Sequence, residues 1–187
     1  MKANLYALGA IALWATLATL GVSLSHVPPF LLTGLSLLIG SVLALPLLRH
    51  DLHQWRVPAA TLALGVYGLF GFHFLLFIAL RHAPPVEANL VNYLWPLFMV
   101  VLAPLLLPGL QLRSAHIAAA LLGFAGAAMA ILGSSGDTPG SAVATGGWSW
   151  GYLLALASGL IWASYSLLTK GVKPFPTAAI GLFGLLS

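Results

Sequence analysis

Long apolar runs separated by a few charged residues set the pattern of this chain. No Asp, Glu, Lys or Arg occurs between Lys2 and Arg49, and His26-Val27-Pro28-Pro29 divides that stretch into room for two elements. Uncharged runs follow at residues 57–80, 88–112, 114–136 and 148–169, and another starts near Phe175 and continues to Ser187. A Gly-, Ser- and Thr-rich segment at 134–147 parts the fifth run from the sixth. A helix rises about 1.5 Å per residue, so about 20 apolar residues cross about 30 Å of hydrocarbon. Each complete run reaches that length. None shows the alternation of a barrel strand, and a lipid-embedded backbone must bond within its own segment, so the runs predict helices. The expectation is six complete membrane helices and part of a seventh. The last run is still apolar at Gly181-Leu182-Phe183-Gly184-Leu185-Leu186-Ser187, so the sequence reads as the N-terminal portion of a longer protein. Lys2, an apolar core and Ser23 and Ser25 fit a signal peptide weakly. The length of the first run and the spans after it favour a retained helix.

Composition agrees. Hydrophobic residues make up 60% and charged residues 5%, with a mean hydropathy of +1.03, whereas a soluble domain carries about 25% charged residues. A soluble enzyme, a nucleic-acid binder and a disordered segment are excluded, and an all-α integral membrane protein is expected. The net charge of +4 comes from Lys and Arg scattered singly between runs, not from a basic face. Zero cysteines exclude disulfides, iron–sulfur clusters and thiolate zinc. With the N-terminus inside, the inner segments hold Lys2, Arg49, Arg56, Arg113, Lys170 and Lys173, and the outer ones only Arg81. That bias predicts a cytoplasmic N-terminus and an external 134–147 loop.

The start of the chain recurs. Leu13-Trp14-Ala15-Thr16 matches Ile161-Trp162-Ala163-Ser164, and Val27-Pro28-Pro29-Phe30 matches Val172-Lys173-Pro174-Phe175. Chance similarity between two apolar helices is the alternative reading. An offset of five spans would make the second copy enter from the opposite side. This is the inverted-topology repeat common in secondary transporters, with a site near the midplane.

The fourth run adds Glu87-Ala88-Asn89-Leu90-Val91-Asn92-Tyr93-Leu94-Trp95-Pro96. With Trp in the first and sixth helices, it resembles the E-x-x-x-V-N-Y-L-W-P segment of aromatic amino-acid exporters of the YddG type. These lie within the drug/metabolite transporter superfamily, with its EamA-type repeats. The resemblance implies an inverted repeat of five helices, ten in the complete protein, in a bacterial inner membrane with cytoplasmic termini. It divides the chain into a first repeat at 1–133, an external loop at 134–147 and the start of a second repeat at 148–187.

Several residues are candidates for a site, each beside a plainer role. Asn89, Asn92 and Trp95 share about a third of a helical turn, with Tyr93 flanking Asn89. Their amides and rings suit a cavity wall, or the amides simply bond neighbouring helices. Pro96 removes a helical bond and predicts a kink. Glu87 is either a helix-dipole partner in a first turn or a coupling carboxylate. In the sixth helix Ser158, Trp162, Tyr165, Ser166 and Thr169 form a polar stripe read as cavity lining, while the smaller stripe around Trp14 is read as packing. In the third helix His73, accompanied by Tyr67, is either a substrate contact or an interhelical bond. Ala115, Ala119, Gly123 and Ala127 in the fifth helix predict close helix packing. His26, His50, His53, His82 and His116 have no partner set resembling a metal site. No catalytic triad, zinc-protease motif or phosphate loop is present, so no cofactor or metal is expected.

The function expected is export of amino acids, aromatic and other neutral ones, by alternating access, with the lipid bilayer as the other partner and a monomer favoured. The alternatives are a drug or nucleotide-metabolite transporter of the same superfamily, or a membrane enzyme acting on lipid with His73 and Glu87 as base and acid.

Overall fold

The structure, a computed structural model, describes residues 2–48, 57–134, 149–176 and 179–187. Every regular element among them is helical. The basic segment at 49–56, with His50 and His53, and the 134–147 loop beyond Ser134 lie outside the described residues.

The first run forms α1 (Lys2–Ala15) and α2 (Leu17–Ser23), broken at Thr16. The Thr16 hydroxyl donates to the Leu13 carbonyl at 2.7 Å, a back-bond that competes with the helical ladder and bends it. Pro29 opens α3 (Pro29–Leu48), and Pro58 precedes α4 (Ala59–His82). At the N-cap or in the first turn, proline has no intrahelical bond to lose.

The fourth run is two helices, α5 (Pro85–Asn92) and α6 (Trp95–Leu106), with a turn at Tyr93–Leu94. The kink expected from Pro96 therefore falls just before the proline. Pro96 has no N–H for the carbonyl of Asn92, so the ladder opens one turn back and restarts with proline in the first turn of α6. The run also ends earlier than its hydropathy suggests. It was expected to reach residue 112, but α6 stops at Leu106. Pro108 cannot continue a helix, and Gly109 takes a left-handed φ of 85°. Apolar composition persists there, but helical geometry does not.

After it come α7 (Ser114–Ser134), α8 (Trp150–Leu168) and α9 (Ala179–Leu186). The Ser149 hydroxyl caps α8 by accepting from the Gly151 N–H at 3.2 Å. Four segments are long and apolar enough to span a bilayer: Asn4–Ser23, Ala59–His82, Pro85–Leu106 and Trp150–Leu168. In α3 and α7 the apolar stretches Pro29–Leu43 and Ser114–Gly126 are shorter over the described residues.

Helix α8 is central, packing most extensively on α4 and then on α6 and α5, while α9 packs on α3 and α4. Lipid tails are as apolar as side chains, so close packing rather than water exclusion must hold such helices together. Missing side chains supply the fit. A Cβ on Gly65 would overlap the Phe183 ring, and one on Gly68 the Tyr165 ring. A Cβ on Gly159 would come within 2.8 Å of the Asn92 carbonyl oxygen. Leu32, Phe72, Leu76, Phe77 and Leu80 fill the apolar centre. The α7 stripe does not behave as expected: Ala115, Ala119 and Gly123 are exposed, and nothing described lies within 4 Å of a Cβ on Gly123. α7 meets α6 and α5 instead.

Polar contacts gather three chain segments at one end of the bundle. The Arg81 guanidinium donates to the Val27 carbonyl between α2 and α3. The Ser149 hydroxyl donates to the His82 carbonyl at the end of α4. The α2–α3 turn, the α4–α5 turn and the start of α8 therefore share one end, as alternating spans require.

Candidate functional site

A cavity of about 240 Å³ lies between α1–α2, α4, the α5–α6 break and α8. Three indoles form one wall. The Trp14 ring is 5.4 Å from Trp162 in an edge-on arrangement and 6.4 Å from Trp95. Phe72 supports Trp162 at 5.0 Å. Asn89, Asn92 and Tyr93 complete the lining from the broken helix. Non-helical backbone at membrane depth is tolerated where it lines a cavity, and the Tyr93–Leu94 turn does so.

Asn92 is buried, and its amide N–H groups are directed at α8: Nδ2 lies 3.1 Å from Ser158 Oγ and 3.5 Å from the Ala155 carbonyl oxygen. The Ser158 hydroxyl in turn donates to the Phe72 carbonyl of α4 at 2.9 Å. The two roles open for this amide in the sequence therefore coincide: it bonds a neighbouring helix and it lines the cavity. Asn89 is half-buried, and while its backbone carbonyl accepts from the Tyr93 N–H at 2.9 Å, its side-chain amide makes no hydrogen bond among the described residues.

Five of the expected site residues thus come together: Asn89, Asn92, Tyr93, Trp95 and Trp162. Tyr165, Tyr67 and His73 do not line this cavity. Tyr165 is buried with its ring on Gly68 and 5.6 Å from Trp162, so it backs the indole rather than facing the space. The Tyr67 hydroxyl bonds Ser164 at 2.8 Å and ties α4 to α8. His73 Nδ1 bonds the Leu69 carbonyl of its own helix at 2.7 Å, with the Phe72 and Phe77 rings alongside. Most of the α8 polar stripe is also turned from the cavity. Ser166 donates to the Trp162 carbonyl at 2.7 Å and Thr169 to the Ser166 carbonyl at 2.8 Å. Hydroxyls that bond their own helix need no polar surroundings.

Glu87 lies away from the cavity, in the first turn of α5. The Tyr152 hydroxyl donates to Glu87 Oε2, while Oε1 is buried with no partner among the described residues. The contact joins the N-terminal ends of α5 and α8. Among the described residues no cluster of three or more His, Cys, Asp or Glu is placed to hold a metal. Phe72 and several small or aliphatic residues also line the cavity without having been singled out in the sequence, but the instructive omission is Trp14. Its own stripe is too apolar to announce a site, but its repeat mate Trp162 offered the clue.

Comparison with known proteins follows the same lines. The EamA-like transporter family matches residues 1–132. The chain is 43% identical over 187 residues to the aromatic amino acid exporter YddG of Ancylobacter novellus, covering 98% of this chain and 63% of that protein. It is 32% identical to the aromatic amino acid exporter YddG of Salmonella typhimurium, covering 90% of this chain and 59% of that one. A protein of known crystal structure, 38% identical, superposes with a TM-score of 0.75 over 99% of this chain and 63% of its own. The chain thus spans less than two thirds of the length of these relatives. With its bilayer-length helices and this family match, it is a multi-pass membrane protein and belongs to the EamA-like transporter family.

Proposed function

We propose that this protein exports amino acids, aromatic and other neutral ones, by alternating access across a bacterial inner membrane. The observation that carries the reading is the cavity itself. It brings Trp14, Trp95 and Trp162 together with Asn89 and Asn92 in one lining, at the break in a membrane helix. Indole walls stack on an aromatic side chain and gain about 0.5–1.5 kcal/mol beyond area burial. Neutral amides meet the zwitterionic end without a fixed charge. The relatives named aromatic amino acid exporters support the substrate class.

In this reading residues 1–133 form the first of two inverted five-helix repeats, 148–187 begin the second, and 134–147 is external. Trp14 and Trp162, at equivalent positions of the two copies, meet edge-on at 5.4 Å in the cavity wall, in keeping with that symmetry. A lipid-modifying enzyme is disfavoured. His73 bonds its own helix and Glu87 bonds Tyr152, so neither is presented to the cavity as a base or acid.

The complete protein in proteoliposomes should carry phenylalanine, tryptophan and tyrosine down a gradient and release them unmodified, with excess aromatic amino acid inhibiting the flux. Glutamate and aspartate should pass poorly. Efficient glutamate flux without phenylalanine flux overturns the substrate class, and a chemically altered product overturns the transporter reading.

A further inference from the structure

The Asn92 amide has a direction, and that direction selects one end of a substrate. Ser158 is fully buried and has one hydroxyl proton, which goes to the Phe72 carbonyl at 2.9 Å. Towards Asn92 it can therefore only accept. The Ala155 carbonyl beside it is also only an acceptor. A reversed amide would set its oxygen against two acceptors in a buried place, so the N–H groups must point at α8. What Asn92 leaves for the cavity is its oxygen Oδ1. Asn92 is 4% exposed, and nothing donates to Oδ1 among the described residues. Asn92 lines the cavity, and with its N–H groups turned to α8 the oxygen is the polar atom it has left for a ligand there.

We infer that Asn92 Oδ1, held in this orientation by Ser158, makes the cavity a receptor for aromatic primary ammonium compounds in which the carboxylate is dispensable. The inference deepens the exporter reading and rests on it for the location of the site. An ammonium N–H donates to Oδ1, and a carboxylate cannot. The indole faces around the cavity also attract a cation. No Lys, Arg or His lines the cavity among the described residues, so no cationic partner is fixed there for a carboxylate. Asn89 has no described partner and can turn either way, so the fixed preference belongs to Asn92. Decarboxylated aromatic amines join the aromatic amino acids as substrates, and aromatic acids lacking the amine do not. Ser158 is a positioning residue, acting through Asn92.

The test is equilibrium binding to the purified complete protein near neutral pH, read by intrinsic tryptophan fluorescence. Three probes are compared: phenylalanine, phenylalaninol (no carboxylate) and 3-phenylpropionate (no ammonium). Phenylalaninol should bind within a few-fold of phenylalanine, and 3-phenylpropionate about tenfold or more weakly. Ser158→Ala frees the amide to turn and should shrink that gap. Asn92→Leu removes Oδ1 and places no oxygen against the Ser158 and Ala155 acceptors, and it should shrink the gap as well, so the inference does not hang on one variant. Two results overturn it: 3-phenylpropionate binding as well as phenylalanine in the wild type, or Ser158→Ala weakening all three probes equally. Flux assays separate the two readings. Binding in the expected order without phenylalanine transport defeats the exporter reading alone. Phenylalanine transport with the binding order reversed defeats this inference alone.

Discussion

Trp162 shows how much one side chain can carry. It touches Trp14, Phe72 and Tyr165 at ring separations of 5.0–5.6 Å and forms part of the cavity wall. Trp162→Ala should lower apparent affinity for phenylalanine by about tenfold, the size of one lost aromatic contact. Affinity for a small neutral amino acid should fall less, because it has no ring to stack. Measuring both in proteoliposomes with matched protein insertion checks this, and equal affinity for phenylalanine in variant and wild type would reduce the indole to packing. Tyr165 lies one helical turn further along α8 but turns its ring to Gly68. Residue type marks both as amphipathic aromatics, and only the neighbouring helix decides which one faces the open space.

At the scale of elements, the broken fourth span and the α5–α8 seam are one arrangement. Pro96 leaves the Asn92 carbonyl without its helical donor, and Gly159 lets α8 lie directly against that point. Gly159→Ala puts a methyl 2.8 Å from a backbone oxygen, which cannot yield as a flexible side chain would. The expected penalty is about 1–3 kcal/mol, seen as a lower melting temperature in detergent, together with weakened phenylalanine binding as Asn92 shifts from Ser158. Gly123→Ala on α7 meets open space among the described residues. It should leave melting unchanged or slightly raised, since alanine favours helix over glycine. Strong destabilisation by Gly123→Ala would instead show that the small-residue stripe of α7 packs against something.

For the whole molecule, the arrangement of ends gives a topology that can be tested. The Arg81–Val27 and Ser149–His82 contacts place the α2–α3 turn, the α4–α5 turn and the start of α8 together. The lysines after α8 lie at the far end of that helix. Charge bias predicts that the first group lies outside. His26→Cys should react with an impermeant maleimide on intact cells, and Lys173→Cys only after permeabilisation. The reverse pattern would invert the protein in the membrane.

The membrane setting, the helical class and the approximate positions of the four bilayer-length spans were legible along the chain, because a bilayer imposes one length and one backbone solution on every crossing segment. The polar wall at Asn89 and Asn92 was legible too, since amides at lipid depth must face protein or water. The end of α6 at Leu106 was not, because hydropathy continues where Pro108 and Gly109 stop the helix. Neither was the place of Trp14, which only the approach of α1–α2 to α8 brings against Trp162. Periodicity fixes which residues share a face of one helix. Which face meets a neighbour depends on where side chains are absent, at Gly65, Gly68 and Gly159, and on hydrogen bonds between helices. Those are properties of pairs of segments distant in sequence, so the direction of the Asn92 amide was decided by tertiary structure alone: Ser158 can offer it only a lone pair once its own proton is given to Phe72.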